Sequence, residues 1–175
     1  MANECNTIYK VTGDINQIND LYTKARNITE KTNSLIAAYD FFSAITNCKV
    51  SRNPRCLVYD NFELNNNVLT FSTMSAWCRC NDIEYYIKEE YPLLDVYFSE
   101  EVVPNYIKTI DVSSKFFPER YVLYTFHGTF CFTDLDSMLS YASNYFNTEI
   151  KSVDALKQIA DDENWICIEV DVIDS

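Results

Sequence analysis

Glycine is almost absent from this chain, whose 175 residues include only Gly13 and Gly128, neither of them in a glycine-rich loop. Phosphate-binding loops need glycines because backbone amides must approach the phosphates closely. The sequence therefore excludes a P-loop and a dinucleotide-binding fingerprint.

Long apolar runs are also absent, and none approaches the ~20 residues of a membrane-spanning helix, so we expect no membrane span.

The first residues contain no apolar stretch of the kind that forms a secretory signal peptide. We therefore expect a cytoplasmic protein, in which cysteines stay reduced. The seven cysteines are Cys5, Cys48, Cys56, Cys78, Cys80, Cys131 and Cys167.

Positive charge is scarce, with 14 lysines and arginines against 26 aspartates and glutamates and a net charge of −12. An acidic surface repels phosphate, which disfavours direct binding to nucleic acid or to an anionic membrane. Alternatively, the same charge could imitate nucleic acid and occupy a basic groove on a host DNA- or RNA-binding protein.

Hydrophobic periodicity predicts a mixture of strands and helices. The predicted strands cover residues 5–12, 56–64, 68–74, 94–99, 106–112, 121–126, 129–133 and 166–172. The predicted helices cover residues 15–28, 35–45, 83–90, 135–146 and 153–159. Hairpin signals at 65–67 and at His127-Gly128 favour an antiparallel or mixed sheet, so the expected fold class is α+β with helices on one face.

Helix starts are expected where short polar side chains precede an apolar period. The predicted capping residues are Asp14, Asn81, Thr133 with Asp136, and Ser152. We expect one domain over residues 1–175, with an inserted helical segment at about 31–54 and an additional hairpin and C-terminal helices.

The segment 68–101 reads as strand, loop, helix and strand, with the sequence W-C-R-C at the first joint. Trp77 is expected to anchor the helix to the sheet. Cys78 and Cys80 could bind a soft metal only with a second ligand pair, and the sequence lacks a closely spaced one. We therefore assign no metal site and no cofactor. Cys80 precedes the helix, whose dipole would stabilise its thiolate, so it is the best candidate for a reactive cysteine.

His127 is the only histidine, and it could serve catalysis only beside Cys131, Cys56 or Cys80. Its place in a hairpin favours an exposed turn residue. Glu100 and Glu101 form one of several acidic clusters, and charged ends of elements are usually solvated. No catalytic residue is assigned, and the candidate positions are Trp77, Cys78, Cys80, His127, Glu100 and Glu101.

Tyrosine is abundant, with 13 residues. Its large ring and polar tip suit both a core edge and a protein interface. Both uses are open for the tyrosines of the second half, which are Tyr85, Tyr86, Tyr91, Tyr97, Tyr106, Tyr121, Tyr124, Tyr141 and Tyr145.

Several segments resemble the Api-type family of phage-associated proteins with a ferredoxin-like domain. They are MANECNTIYKVTGD, LTFSTMSAW, IEYYIKEEYPLLDVYFSEE, FFPERYVL and SVDALKQIADDENWICIEVDVID, about two-thirds of the chain. Family members usually have prolines where this chain has Cys78-Arg79-Cys80. The resemblance implies a ferredoxin-like core and a context in gut-bacterial phages or mobile elements, without an iron–sulfur cluster or established catalytic residues.

We therefore expect a non-enzymatic protein of phage or mobile-element type that binds a host or phage protein through an acidic, tyrosine-rich surface. The first alternative is an acidic nucleic-acid mimic. The second is a small thiol-dependent enzyme that uses Cys80 or His127.

Overall fold

The computed structural model describes residues 3–29, 35–46, 50, 56–59, 61–103, 107–110, 115–125, 127–162 and 169–172. Helices and antiparallel strands alternate in it, which confirms the α+β class. The elements are β1 (Glu4–Gly13), α1 (Ile15–Thr29), β2 (Leu35–Ala37), α2 (Ala38–Ile45), β3 (Cys56–Tyr59), β4 (Glu63–Asn65), β5 (Val68–Ala76), α3 (Asn81–Glu90), β6 (Leu94–Val103), β7 (Ile107–Ile110), β8 (Tyr121–Thr125), β9 (Gly128–Phe132), α4 (Leu135–Phe146), α5 (Val153–Asp162) and β10 (Glu169–Val172).

The chain divides into two compact units, Met1–Ile107 and Lys108–Ser175. Compactness alone does not decide whether a unit folds by itself, so the single domain over 1–175 stays a prediction. The expected insert at about 31–54 is described at residues 35–46 and 50. It starts with strand β2 rather than with a helix, since Leu35–Ala37 pairs with β3.

In the first unit, β1 is the central strand and is hydrogen-bonded on both sides. It pairs antiparallel with β5 on one edge and with β6 on the other. Beyond β5 lie β3 and then β2, and β4 also pairs with β5. The single strand predicted over residues 56–64 is thus two short strands, β3 and β4, which both pair with the long strand β5. Asn66 and Asn67 have positive φ angles of 51° and 61° and form the predicted hairpin turn.

One face of this sheet is buried and the other is partly exposed, as the two-residue period of a strand requires. On β1 the buried side chains are Cys5, Thr7, Tyr9 and Val11. These strands share a hydrophobic cluster with residues of the three helices. The members from the helices include Ile18, Leu21, Phe41, Phe42, Ile83 and Ile87. The first unit therefore carries its helices on one face of the sheet, as predicted.

Two of the four predicted helix caps are confirmed by the structure. Asp14 accepts the amide hydrogens of Asn16 and Gln17 at 3.0 Å each, which confirms it as the α1 cap. Ser152 accepts from the Ala155 amide at 3.1 Å.

The other two predicted caps are wrong by one residue. Asn81 is the first residue of α3, and the N-cap is Cys80. Asp134, rather than Thr133 with Asp136, caps α4 and accepts from the Ser137 amide at 2.8 Å. Periodicity locates a helix, but the start depends on backbone geometry within one turn.

The second unit has a three-stranded antiparallel sheet in the order β10-β8-β9. The β8–β9 connection is the predicted hairpin, in which Gly128 has a φ of 140°. Helices α4 and α5 complete a separate apolar cluster. Its buried members are Leu123, Met138, Leu139, Ala142, Ile150 and Leu156. Among the described residues, no helix is long and apolar enough to cross a membrane.

Gly13 connects β1 to α1 at a point where no side chain fits. Its φ is 135°, and a Cβ atom there would overlap the carbonyl oxygen of Leu93. The same carbonyl accepts the Asp14 amide hydrogen at 3.3 Å. We predict that Gly13→Ala lowers the free energy of unfolding by roughly 2–3 kcal/mol, because it adds backbone strain and pushes two chain segments apart. Urea denaturation followed by circular dichroism measures this.

Gly128→Ala is the matched control, since φ at Gly128 is 140° but a Cβ atom there meets nothing within 4 Å. Its loss should therefore be the smaller of the two. Equal losses would show that dihedral strain alone, and not the contact with Leu93, sets the effect.

Candidate functional site

The W-C-R-C loop, residues 77–80, joins β5 to α3 and is held at several points. The Trp77 amide donates to the Asn3 carbonyl at 2.9 Å, which extends the β1–β5 ladder by one step. The Ser75 hydroxyl donates to the Cys78 carbonyl at 2.6 Å. The loop is therefore fixed to the sheet by its own backbone groups, and its side chains are free for other contacts.

Trp77, the aromatic residue of this loop, is exposed to solvent. Its side chain is 53% exposed, and its φ is +75°, a left-handed conformation that is rare for a bulky residue. The expectation that Trp77 anchors the helix to the sheet is therefore wrong. Cys80 and Ile83, both buried, make that connection instead.

Tyr9 connects the loop to the centre of the sheet. Its ring is fully buried and stacks on Phe71 with centroids 5.2 Å apart. Its hydroxyl donates to the Cys80 carbonyl at 3.2 Å. Burial raises the pKa of Tyr9 well above its usual range, so the phenol stays protonated and keeps donating.

Two buried thiols belong to the hydrophobic cluster below the loop, Cys56 on β3 and Cys80 at the start of α3. Hydrogen bonding to the Cys56 thiol holds the pKa of Cys80 below its usual value, and the amides of Ile83 and Asp82 add to the effect. The Ile83 amide also donates to the Cys80 carbonyl at 3.1 Å, and α3 begins there without a side-chain cap. The reactivity of Cys80 stays a prediction, since the main cause of its lowered pKa is Cys56 rather than the start of the helix.

The hydrogen bond to Cys80, together with burial, raises the pKa of Cys56. Cys5, opposite Ser75 in the β1–β5 register, has its pKa raised mainly by burial. Cys78 and Cys131 are exposed. Among the buried cysteines that the structure describes, Cys80 is the one whose pKa is lowered.

A buried hydroxyl on the same face of the sheet has no partner. Thr73 is 0% exposed, and its Oγ1 makes no hydrogen bond among the described residues. Thr73 lies near enough to Tyr9 to lower the pKa of the Tyr9 hydroxyl slightly, but the two hydroxyl groups are not in hydrogen-bonding geometry. An unpaired buried hydroxyl is costly, which makes this region less well satisfied than the rest of the core.

Arg79 points its guanidinium across the loop towards β6. It lies 3.2 Å from a Glu84 oxygen and 3.6 Å from a Glu100 oxygen. Its Cζ atom lies 3.8 Å from the centroid of the Phe98 ring, within the range of a cation–π contact. Arg79 thus joins the loop, α3 and β6.

Glu100 and Glu101 have opposite environments because successive residues of a strand face opposite sides. Glu100 is largely buried beside Arg79, and burial raises its pKa although Arg79 opposes the shift. Glu101 is exposed and lies opposite Asn6 in the β1–β6 register. Only one of the two adjacent carboxylates therefore contributes to an acidic surface.

His127 lies in the second unit, at the turn of the β8–β9 hairpin. It is exposed, as expected, and its ring stands edge-on to Tyr145 with centroids 5.9 Å apart. Five of the candidate positions lie around the β5–α3 junction and β6 of the first unit, and His127 lies in the second unit. Within the described residues, no group of three or more His, Cys, Asp or Glu side chains could hold a metal ion.

The tyrosines divide between core and surface. Tyr86 and Tyr91 are buried, and Tyr85 is exposed. The others of the second half are half-buried, namely Tyr97, Tyr121, Tyr124, Tyr141 and Tyr145, and Tyr106 lies outside the described residues. Of the described tyrosines in this set, only Tyr85 is exposed, at 58%.

Sequence reasoning missed Tyr9 and Arg79 as parts of this site, and it named Cys56 as one possible partner of His127. Tyr9 is 71 residues from Cys80 along the chain, and only the strand register brings the two together. The alternation of β1 indicates that Tyr9 faces the core, but nothing in it names the partner of the hydroxyl.

Comparison of the chain with protein-family models, curated proteins and solved structures finds no match. The resemblance to the Api-type family stays a prediction.

We predict that Arg79→Ala lowers the free energy of unfolding by about 2 kcal/mol at pH 7. It leaves Glu100 charged and half-buried and removes the contact with Phe98. Burial raises the folded-state pKa of Glu100, so its charged form opposes folding above the unfolded pKa of ~4.3, and without Arg79 this penalty grows. The deficit of Arg79→Ala should therefore shrink as the pH falls from 7 towards 4. Urea denaturation across that range measures it.

Glu100→Gln supplies the background that isolates this pair. In it, Arg79→Ala should cost clearly less, because no carboxylate is left without its partner. The same loss in both backgrounds, with no dependence on pH, would assign the effect to Phe98 and Glu84 instead.

Proposed function

We propose that this protein is a non-enzymatic interaction module that docks on a partner protein through Trp77. As the resemblance implies, it would be of phage or mobile-element type. We also propose that it acts in the cytoplasm. The proposal locates the interaction on the W-C-R-C loop rather than on a broad tyrosine surface, because most tyrosines of the second half are buried or half-buried.

One observation carries the proposal: an exposed indole stands on a strained backbone that the surrounding structure holds in place. A positive φ at a bulky residue costs on the order of 1–3 kcal/mol and persists only where neighbours enforce it. At Trp77 the enforcing contacts are the Asn3 carbonyl on one side and the fixed Cys78 carbonyl on the other. Such strain is characteristic of functional positions, and tryptophan is the residue type most enriched among interface hot spots.

Charge indicates the chemistry of the partner. Glu4 lies opposite Ala76, the residue before Trp77, and is exposed. Exposed Glu101 lies on β6 at the same end of the sheet. Together with the net charge of −12, these residues favour a partner with an apolar slot for the indole and lysines or arginines around it.

The topology of the first unit supports a ferredoxin-like core, which we propose as its finer fold. Helix α1 lies between β1 and β3 in the chain, α3 lies between β5 and β6, and the strand order is β3-β5-β1-β6. This is the arrangement expected of two interleaved βαβ units. Many unrelated functions use such a core, so the fold gives no independent support for docking.

The two alternatives have weaker support. A nucleic-acid mimic needs carboxylates arrayed on one face, and Glu100 is turned inward to Arg79. A thiol enzyme needs a base near its thiol, and no hydrogen bond between the Cys80 sulfur and a basic side chain supports one among the described residues. Both stay predictions.

We predict that Trp77→Ala removes partner binding while the fold is kept. The test is affinity capture from host cells with quantitative mass spectrometry, followed by calorimetry on the purified pair. A hot-spot tryptophan is worth 2 kcal/mol or more, so Kd should rise roughly 30-fold or more. Salt should also weaken binding, because the expected partner is basic.

Leu93→Ala is the matched control, since Leu93 is 63% exposed and lies beyond the opposite end of α3. It should capture the same proteins as the native chain. A partner that binds native protein and Trp77→Ala equally, or one lost equally in both variants, would contradict docking through Trp77.

A further inference from the structure

The sheet of the second unit ends on a strand without charge. In the part of the chain that the structure describes, β9 pairs with β8 on one side and is the terminal strand of the order β10-β8-β9. The other terminal strand, β10, carries Glu169 and Asp171. Charged side chains and prolines protect a sheet edge from pairing with another chain, and β9, with the sequence GTFCF, has neither. Its edge therefore lacks the usual protection.

The backbone groups of β9 alternate between its two sides, as in any antiparallel strand. The Phe132 carbonyl accepts the Arg120 amide hydrogen at 2.8 Å, so it faces β8. By alternation, the amide and carbonyl groups of Thr129 and Cys131 face the outer edge of the sheet. A further strand that pairs there would bond to these two residues and would leave the β8–β9 hairpin unchanged.

The distribution of charge favours a second copy of this chain as that strand. Each copy has a net charge of −12, so most of their surfaces repel each other. Residues 121–133 contain no Asp, Glu, Lys or Arg, and the nearest carboxylates are Asp134 and Asp136 at the start of α4. In an antiparallel pair these carboxylates lie at opposite ends of the interface. Two copies can therefore meet along β9 without like charges opposite each other.

The side chains of β9 are also complementary to themselves in one antiparallel register, which is centred on Phe130. In it the two Phe130 residues lie opposite each other, and Phe132 of each copy lies opposite Gly128 of the other. A Cβ atom at Gly128 would meet nothing within 4 Å, so there is room for that ring. An aromatic ring across from an edge glycine is a favourable pair. On the other face, Thr129 lies opposite Cys131.

Helix α4 holds these aromatic rings in place within a single copy. The ring centroid of Tyr141 lies 4.7 Å from that of Phe130 and 5.5 Å from that of Phe132. Both phenylalanines are half-buried, so part of each ring is left for a second copy to cover. Because the rings are already packed, they lose little conformational freedom when two copies pair.

We propose that β9 is a homodimer interface, at which two copies of the chain pair antiparallel about a two-fold axis at Phe130. The pairing joins the two three-stranded sheets into one. Its hydrogen bonds connect the backbone of Thr129 in each copy to that of Cys131 in the other, about four bonds in all. Interfaces below about 1,200 Å² are weak, so a strand this short predicts a dimer with a Kd on the order of 100 µM or below.

Sedimentation equilibrium of the full-length chain from about 5 to 500 µM tests this, with a reducing agent to prevent disulfides between copies. The average mass of the native chain should rise with concentration from 20.4 kDa towards twice that value. Thr129→Pro removes one outward amide hydrogen, which proline can do on an edge strand without breaking the strand's own ladder. It should raise Kd by roughly tenfold or more. Thr129→Val is the matched control, because it keeps the amide and should dimerise like the native chain.

Thr129→Lys is a second variant that keeps the backbone unchanged and places a charge on the edge, so it should also prevent pairing. Circular dichroism checks that each variant is folded. A native chain that stays monomeric over the whole range would overturn the proposal. So would a dimer that persists in both Thr129→Pro and Thr129→Lys, because another surface would then form it. Since Trp77 belongs to the first unit and takes no part, either result leaves the docking proposal unaffected.

Discussion

The pairing of β1 along both of its edges is the constraint on which the junction depends. It sets Cys5, Thr7 and Tyr9 on one buried face and brings β5 and β6 to either side of them. The Tyr9 hydroxyl then reaches the Cys80 carbonyl and holds the start of α3 over the sheet. A one-residue slip of this register would turn every one of these side chains to the opposite face.

That arrangement gives the loop 77–80 a buried side and an exposed side. Cys80 lies on the buried side, within the hydrophobic cluster that also contains Cys56. The exposed side presents Trp77 to solvent from the same loop. Arg79 lies between them and ties the loop to β6 through Glu100, so that a short connection holds a rigid shape without a glycine.

Much of the fold could be predicted from periodicity, and much of the site could not. The alternation of β1 and the apolar spacing of α1 identify those elements because each reflects a local period. The segment after α1 was predicted to be helical from residue 35 onwards. Leu35–Ala37 is instead a strand, because it pairs with β3, and nothing local in the sequence indicates that pairing. Likewise, Cys80 could be marked from its place before a helix, whereas Cys56 becomes its neighbour only through the pairing of β3 with β5. Trp77 was expected to anchor the helix to the sheet, because nothing local in the sequence signals the left-handed backbone found at this residue.

The left-handed conformation of Trp77 also has a consequence for how this position can change. Glycine adopts that conformation without a steric penalty, so the native residue is not the one that the backbone alone would favour. Substitutions selected only for thermal stability should therefore drift away from tryptophan at this site. Selection for a partner would hold it there, so stability and recognition oppose each other at a single residue.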